Sequence, residues 1–328
     1  MMNRMVQQLE DGLLQIKVPL PFPLRWVNAY VIRGRSGWTL IDPGLHTAES
    51  ESLWRQVMAQ FDLAADALEQ VVLTHHHPDH YGMSGWFQQL SGAPVRISRS
   101  GMEQVQAMWG EGETMTPKLL ELFHRHGMDA EWTSLMEEHL RGFIPQVSPQ
   151  PELAAIDESR YLKMGDRVYR PIPSPGHAAG HLCFYDEERA ELFCGDHVLP
   201  RITPNVSYIP GVDANPLRSY LNSLRDAIAW PAAIAYPGHR DPFASFNDRA
   251  AEIIRHHEER LKAMAELLVQ PMSSYSVCRA VFGDRLSVHQ LRFALSETIA
   301  HMIYLRDEGR IREREQDGVI FYEQSRAT

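Results

Sequence analysis

The sequence of 328 residues has little cysteine, no excess of basic charge and no long apolar run, and each shortage excludes a class of protein. Three cysteines, Cys183, Cys194 and Cys278, cannot build a disulfide framework, and they show no CxxC spacing for a thiolate metal site. They read as small buried hydrophobes. Against 42 Asp and Glu stand only 32 Lys and Arg, a formal charge of −10, which opposes broad attraction to a phosphate backbone. No stretch approaches the roughly 18 consecutive apolar residues that a membrane helix needs, and Met1 to Gly12 lacks the apolar centre of a secretory leader. A chain without membrane contact in a reducing, cytoplasmic compartment is expected. What remains is ordinary globular composition, 44% hydrophobic and 23% charged, in a length that suits two units.

The first half alternates short apolar or β-branched runs with turns and helical stretches, the pattern of a mixed α/β layer fold. Leu14 to Val18, Asn28 to Ile32, Thr39 to Ile41 and Val71 to Leu73 read as strands, and Glu49 to Phe61 as a helix. Residues 100 to 145 read as an inserted helical layer, with a helix start at Met115-Thr116-Pro117 and stops at Gly127 and Gly142. Strands return at Arg167 to Ile172, Leu182 to Tyr185, Glu191 to Cys194 and Ala233 to Tyr236, with a helix at Pro216 to Ile228. A long helix follows at Arg249 to Leu268, then helices at Ser276 to Phe282 and Val288 to Arg306, and two strands around the turn pair Asp317-Gly318. Helix, helix and two-stranded wing is the order of a winged-helix-like unit. We therefore divide the chain at 1–248 and 249–328.

Chemistry concentrates in Thr74-His75-His76-His77-Pro78-Asp79-His80, where four histidines and one aspartate fall in six positions. Three further clusters join it: Pro175-Gly176-His177, Gly195-Asp196 and Pro237-Gly238-His239. All four stand just beyond predicted strands, where a rigid scaffold presents functional groups on loops. Imidazoles and carboxylates without thiolate suit zinc first, with iron or manganese as alternatives, and seven ligands are too many for one tetrahedral ion. Two divalent ions are expected. In an extended loop His75 and His77 point the same way, so with His177 they form one three-imidazole face. Asp79 and His80, displaced by the turn at Pro78, face a second ion with His239, and Asp196 bridges the two. With a bridging hydroxide the local charge is about +1, a site that favours an anionic transition state. A structural metal site is the alternative, but such sites are closed four-ligand sets, often rich in cysteine.

The pattern His75-x-His77-x-Asp79-His80 with His177, Asp196 and His239 resembles the metallo-β-lactamase superfamily, in its glyoxalase II-like hydrolase branch, over about residues 8 to 245. The resemblance implies a four-layer αβ/βα sandwich with a dinuclear site along one edge between two sheets. It also implies that Asp42 orients a histidine ligand, a role that metal-bound imidazoles require; a turn former is the competing reading. Zinc β-lactamases use a cysteine at the second metal, which Cys194 does not match, and flavodiiron proteins carry Glu where His77 stands. The tail, with Thr298-x-x-His301-x-x-Tyr304-Leu305-x-x-x-Gly309-x-Ile311 and Gly318-Val319, is similar to the winged-helix-like appendage of β-lactamase-like endoribonucleases.

These readings give a dinuclear metal-dependent hydrolase whose bridging hydroxide attacks a small ester, thioester or lactone, with Asp79 as the catalytic residue that orients the hydroxide and passes on its proton. The alternatives are a phosphodiesterase on single-stranded RNA and a non-enzymatic binder that keeps the fold. Residues 251 to 328 hold 11 basic and 12 acidic side chains, so nucleic acid is not the expected partner. Closing the active-site rim or forming a homodimer contact fits the tail better. His181 is read as a substrate contact, a support behind a metal ligand or a structural histidine, Tyr81 and Tyr208 as oxyanion donors or packed rings. Met102, Met108, Trp109, Met115, Phe123 and Met128 are read as an apolar lid over an acyl chain or as ordinary core.

Overall fold

The computed structural model describes residues 5–10 and 12–325; residues 1–4, 11 and 326–328, at or near the ends of the two predicted units, lie outside the described residues. The chain opens with β1 (Val6–Glu10), β2 (Leu13–Pro19), β3 (Trp26–Arg33) and β4 (Trp38–Ile41), then α1 (Ala48–Gln60), β5 (Leu68–Val72), α2 (Pro78–Tyr81), α3 (Ser84–Ser91) and β6 (Val95–Ile97). Helices α4 (Arg99–Trp109), α5 (Met115–Arg125) and α6 (Thr133–Arg141) precede β7 (Leu153–Ala155). These seven strands form one sheet in sequence order, antiparallel from β1 to β4 and parallel from β4 to β7.

The second sheet has the order β12-β11-β10-β9-β8. Its strands are β8 (Leu162–Met164), β9 (Arg167–Pro173), β10 (Leu182–Asp186), β11 (Glu191–Gly195) and, beyond α7 (Pro216–Ala227), β12 (Ile234–Pro237). The crossover through α7 makes β12 parallel to β11. A 22-residue helix, α8 (Phe246–Leu267), leads to β13 (Met272–Ser273), α9 (Ser274–Phe282), α10 (Val288–Asp307), β14 (Ile311–Gln316) and β15 (Val319–Gln324). The last two strands form the hairpin expected around Asp317-Gly318, with positive φ at both turn residues.

Strand alternation decides the layers. In β3, Val27, Ala29 and Val31 face the helices α1 and α3 to α5, while Tyr30 and Ile32 face the other sheet. In β10, Leu182 and Phe184 meet Tyr30 and Ile32 across the middle, while Cys183 and Tyr185 turn outward to α7 and α8. Apolar side chains on both faces of each sheet thus produce helix, sheet, sheet and helix as four layers. Cys183, Cys194 and Cys278 are free and buried, as their composition suggested. The methionine-rich helices are core: Met108, Trp109, Met115, Phe123 and Met128 pack into the helix-side cluster.

Helix α10 is held at its start by a capping box between Ser287 and Gln290, and it crosses α8 at a buried histidine pair. His301 donates from Nδ1 to the Glu297 carbonyl at 2.7 Å, and its Nε2 accepts from His257 Nδ1 at 3.1 Å. Burial holds His301 down to about 3 and, with the neighbouring His301, holds His257 down to about 2. In the unfolded chain both rings gain protons below about 6.5, whereas the folded rings stay neutral. The unfolded state therefore binds more protons in that range, and stability present above pH 6.5 is lost as the pH falls toward 3. Each ring is expected to withdraw about 2 kcal/mol of stability between pH 7 and pH 5. Urea midpoints at the two pH values check this, with a shallower pH dependence expected in the His257→Gln/His301→Gln double variant.

Candidate metal centre

The parallel strand β5 ends at Val72, and the chain then runs extended through His75 to His77. Proline at the first turn of α2 confines His77 to extended backbone, φ −61° and ψ 147°, and starts a helical turn that turns Asp79 and His80 to another side. His177 follows β9, Asp196 follows β11 and His239 follows β12, so the second sheet supplies the remaining groups from the ends of its own strands. The seven residues predicted from sequence converge. His75, His77 and His177 offer ring nitrogens within 4.8 Å of one another; an Asp79 carboxylate oxygen and ring nitrogens of His80 and His239 lie equally close, while Asp196 groups with His75 and His80. Asp196 Oδ1 lies 3.5 Å from His80 Nε2, and its Oδ2 lies 3.4 Å from His239 Nε2 and 3.8 Å from His177 Nε2. It thereby touches histidines of both groups.

Hydrogen bonds at the backs of the rings aim the nitrogens. His177 donates from Nδ1 to the Asn205 carbonyl at 2.8 Å and His239 from Nδ1 to the Trp26 carbonyl at 2.9 Å. His80 donates from Nδ1 to Asp42 at 2.8 Å, and Asp42 also accepts from the Thr74 hydroxyl at 2.6 Å and the Thr74 amide at 2.8 Å. With that hydroxyl proton committed to Asp42, Thr74 accepts from His75 Nδ1 at 3.0 Å. Every one of these rings turns Nε2 inward. His80 Nε2, His177 Nε2, His239 Nε2 and Asp196 Oδ1 are buried with no hydrogen-bond partner, a set of orphans that a folded protein does not keep without a ligand. Lone pairs of nitrogen and oxygen, oriented from behind and without thiolate, fit divalent cations.

Electrostatics divide the site in the same way. Burial, reinforced by the neighbouring imidazoles, holds His75 and His77 well below the usual histidine range, so both present lone pairs at neutral pH. At His239 burial works against charge, but Asp196 and Asp79 outweigh it and push the ring up to about 10. His80 is likewise raised against burial by Asp196, Asp42 and Asp79. Without ions the carboxylates thus hold protons on these two rings, and metal binding has to release them.

A cavity of about 550 Å³ opens onto the ligand set at His77 and Asp79. Its walls are Phe22, Leu24 and Phe143 on one side and Phe282, Leu286 and Phe293 from the region of α9 and α10 on the other. Asp79, with 20% of its side chain exposed, stands where the polar floor meets these apolar walls.

Residues 24–239 match the family described as the metallo-beta-lactamase superfamily, and residues 261–325 match the metallo-beta-lactamase-like, C-terminal domain. The chain belongs to the metallo-beta-lactamase superfamily. It is 31% identical to a metallo-beta-lactamase family protein of Thermus thermophilus, whose crystal structure superposes with a TM-score of 0.87 over 97% of this chain and 100% of that one. It is 26% identical over 318 residues to the Bacillus subtilis (strain 168) protein named "Probable metallo-hydrolase YqjP", covering 95% of this chain and 98% of the relative. An Aspergillus fumigatus protein named atrochrysone carboxyl ACP thioesterase is 25% identical over 247 residues, 74% of this chain and 59% of its own length. The fold is thus the mixed α/β metallo-beta-lactamase fold, the chain is a metallo-hydrolase, and membership implies divalent metal ions.

Within that superfamily frame several supporting residues escaped the sequence reading. Asn28 donates to the Pro237 carbonyl at 2.9 Å and so braces the turn that carries His239. Asn205, in a stretch without periodicity, accepts from His177 and donates to Glu297 at 2.6 Å. His181 accepts at Nε2 from the Asp196 amide at 3.1 Å and bonds Ser174 through Nδ1 at 2.8 Å, so it fixes the backbone of Asp196 and does not line the cavity. Tyr81 donates to Gln150 at 2.6 Å and is packed, and Tyr208 packs between the helical layers. Gly238 is also part of the site, since a Cβ there would fall 2.2 Å from Asp196 Oδ1 and 2.6 Å from His80 Cε1. Gly238→Ala is expected to fold yet to bind metal about 10 to 100-fold more weakly, read by competition with a chromogenic chelator.

Proposed function

We propose that the chain is a dinuclear metal-dependent hydrolase of acyl thioesters, within the wider class of small esters, thioesters and lactones. The observation that carries this reading is the apolar cavity that ends on His77 and Asp79: its walls suit an acyl chain, and its floor suits a carbonyl carbon. The thioesterase named among the relatives supports the same class. His75, His77, Asp79, His80, His177, Asp196 and His239 would hold the divalent ions, which when bound would supply Lewis acidity and make water a better nucleophile near neutral pH. Asp79 would orient an attacking water and take its proton, and the remaining carboxylate, Asp196, holds the two histidine groups in one frame. The aromatic walls exclude bulk water from the acyl group.

Zinc is the proposed metal and the cytoplasm the proposed compartment; no described helix is long and apolar enough to cross a membrane. The ligand set without cysteine supports the glyoxalase II-like branch. The C-terminal helices and hairpin are proposed as a winged-helix-like unit that closes the cavity rim, with a small molecule as partner. Cleavage of single-stranded RNA is disfavoured by the tail surface. There Arg306 pairs with Asp307 and Glu313, and Arg312 with Glu323, so these cations are not left to track phosphates. The test is a hydrolysis panel of acyl thioesters, lactones and labelled RNA with zinc-loaded protein, run beside Asp79→Ala. Thiol release lost in the variant supports the proposal; equal rates in both proteins, or metal-dependent cleavage of RNA alone, overturn it.

A further inference from the structure

Arg292, on α10, is 8% exposed. No hydrogen bond or ion pair among the described residues reaches its guanidinium; its contacts are the faces of Phe293 and Phe143, with ring centroids at 4.9 and 5.5 Å. It lines the large cavity that opens on His77 and Asp79, and also a smaller one behind it that touches His77 and His177. Burial pushes the Arg292 guanidinium down to about 10, still charged at neutral pH, so burial without a counter-ion is a standing penalty. The neighbours do not relieve it. Burial together with Arg292 keeps His139 neutral, at about 4, and lowers His289 as well. Glu297, on the same helix, has its carboxylate committed to Arg260 and to Asn205. The stacking of His289 on Phe22, at 4.9 Å and 9°, completes an aromatic collar around one uncompensated positive charge.

We propose that Arg292 anchors a carboxylate carried on the acyl part of the substrate. A planar fork of N–H donors matches a carboxylate through two parallel bonds, and the desolvated aromatic collar strengthens that pair. One buried cation answers one negative charge. The phosphates of a nucleotide-bearing thiol carrier call for several exposed cations, which this wall does not provide. The preferred substrates are therefore ω-carboxyacyl thioesters. This inference rests on the thioester reading for its kinetic arm only.

The binding arm uses calorimetry on zinc-loaded full-length protein with succinate, glutarate and adipate, each compared with its monoamide. Both members of a pair offer one carboxylate to the metals and differ only at the other end. For at least one chain length the dicarboxylate is expected to bind at least about tenfold tighter. Arg292→Met is expected to bring that ratio to about one, and Arg292→Lys to reduce it about threefold or more, because a point charge lacks the fork. The kinetic arm compares kcat/KM for ω-carboxyacyl and ω-carboxamidoacyl thioesters of N-acetylcysteamine, with the same ratio expected to appear in KM. Equal binding of every pair by the wild-type protein, or a ratio unchanged in both variants, overturns the anchor; the wild-type and Lys results decide if the Met variant does not fold. An Arg292-dependent preference for coenzyme A over N-acetylcysteamine as leaving group, with no preference between acyl pairs, also overturns it in favour of a phosphate. If dicarboxylates bind in an Arg292-dependent manner while no thioester is turned over, the anchor stands and the thioester reading falls.

Discussion

Alanine at Asp196 is expected to yield a folded protein that retains at most one ion per chain and loses at least three orders of magnitude in kcat/KM, about 4 kcal/mol of transition-state stabilisation. The reason is positional. Asp196 approaches His80 and His239 on one side and His177 on the other, at 3.4 to 3.8 Å, so its removal disconnects the two histidine groups. The fold is expected to survive, because the backbone of Asp196 is fixed independently by His181 and the parallel pairing of β11 with β12 holds the strand end. Elemental analysis after gel filtration, with circular dichroism as the control for folding, reads both halves of the expectation. Two retained ions together with activity within tenfold of wild type would sink the bridging role.

Asp79→Asn addresses the base. The amide keeps an oxygen and nearly the same shape but cannot take a proton, so a fall in kcat of about 10²- to 10³-fold is expected at saturating metal, with KM little changed. Asp79 Oδ2 lies 3.2 Å from His239 Nε2 and 3.9 Å from His80 Nε2, which makes some loss of metal affinity part of the same change. Titrating metal into the assay separates the two effects: a deficit that disappears at high zinc belongs to binding, and one that persists belongs to proton transfer. Full recovery at high zinc would remove Asp79 from the chemistry.

Much of the sandwich could be read from residue order because local rules and tertiary packing agree along it. Strands β2 to β5 and β9 to β12 lie within two or three residues of their expected positions, since apolar runs between turn residues leave little choice. The convergence of the seven candidate ligands was legible for a different reason: four histidines and an aspartate in six positions, with three further clusters at strand ends, point to one shared site, and the structure brings these residues together. Asp42 illustrates an intermediate case. Its resemblance-based role and the turn-former reading both hold, for it has a φ of 50° and accepts from His80. Arg292 and Asn205 were not legible. Arg292 sits in a helix pattern that reads the same for a solvated or a buried cation, and Asn205 acts mainly through a backbone carbonyl, which sequence cannot distinguish from any other. Helix α8 starts at Phe246, three residues before the predicted Arg249, because Phe246 is drawn into the α7 cluster beside Trp230.

The cavity walls and the candidate metal ligands come largely from different parts of the chain: loops of the sandwich carry the seven candidate ligands, whereas α9, α10, Phe143 and the Phe22 turn wall the cavity. The C-terminal helices thus shape what the cavity admits while also touching the ligand frame, since Glu297 of α10 accepts from Asn205, whose carbonyl holds His177; exchange of that region between relatives has to keep this contact if the site is to stay intact while the range of guests changes.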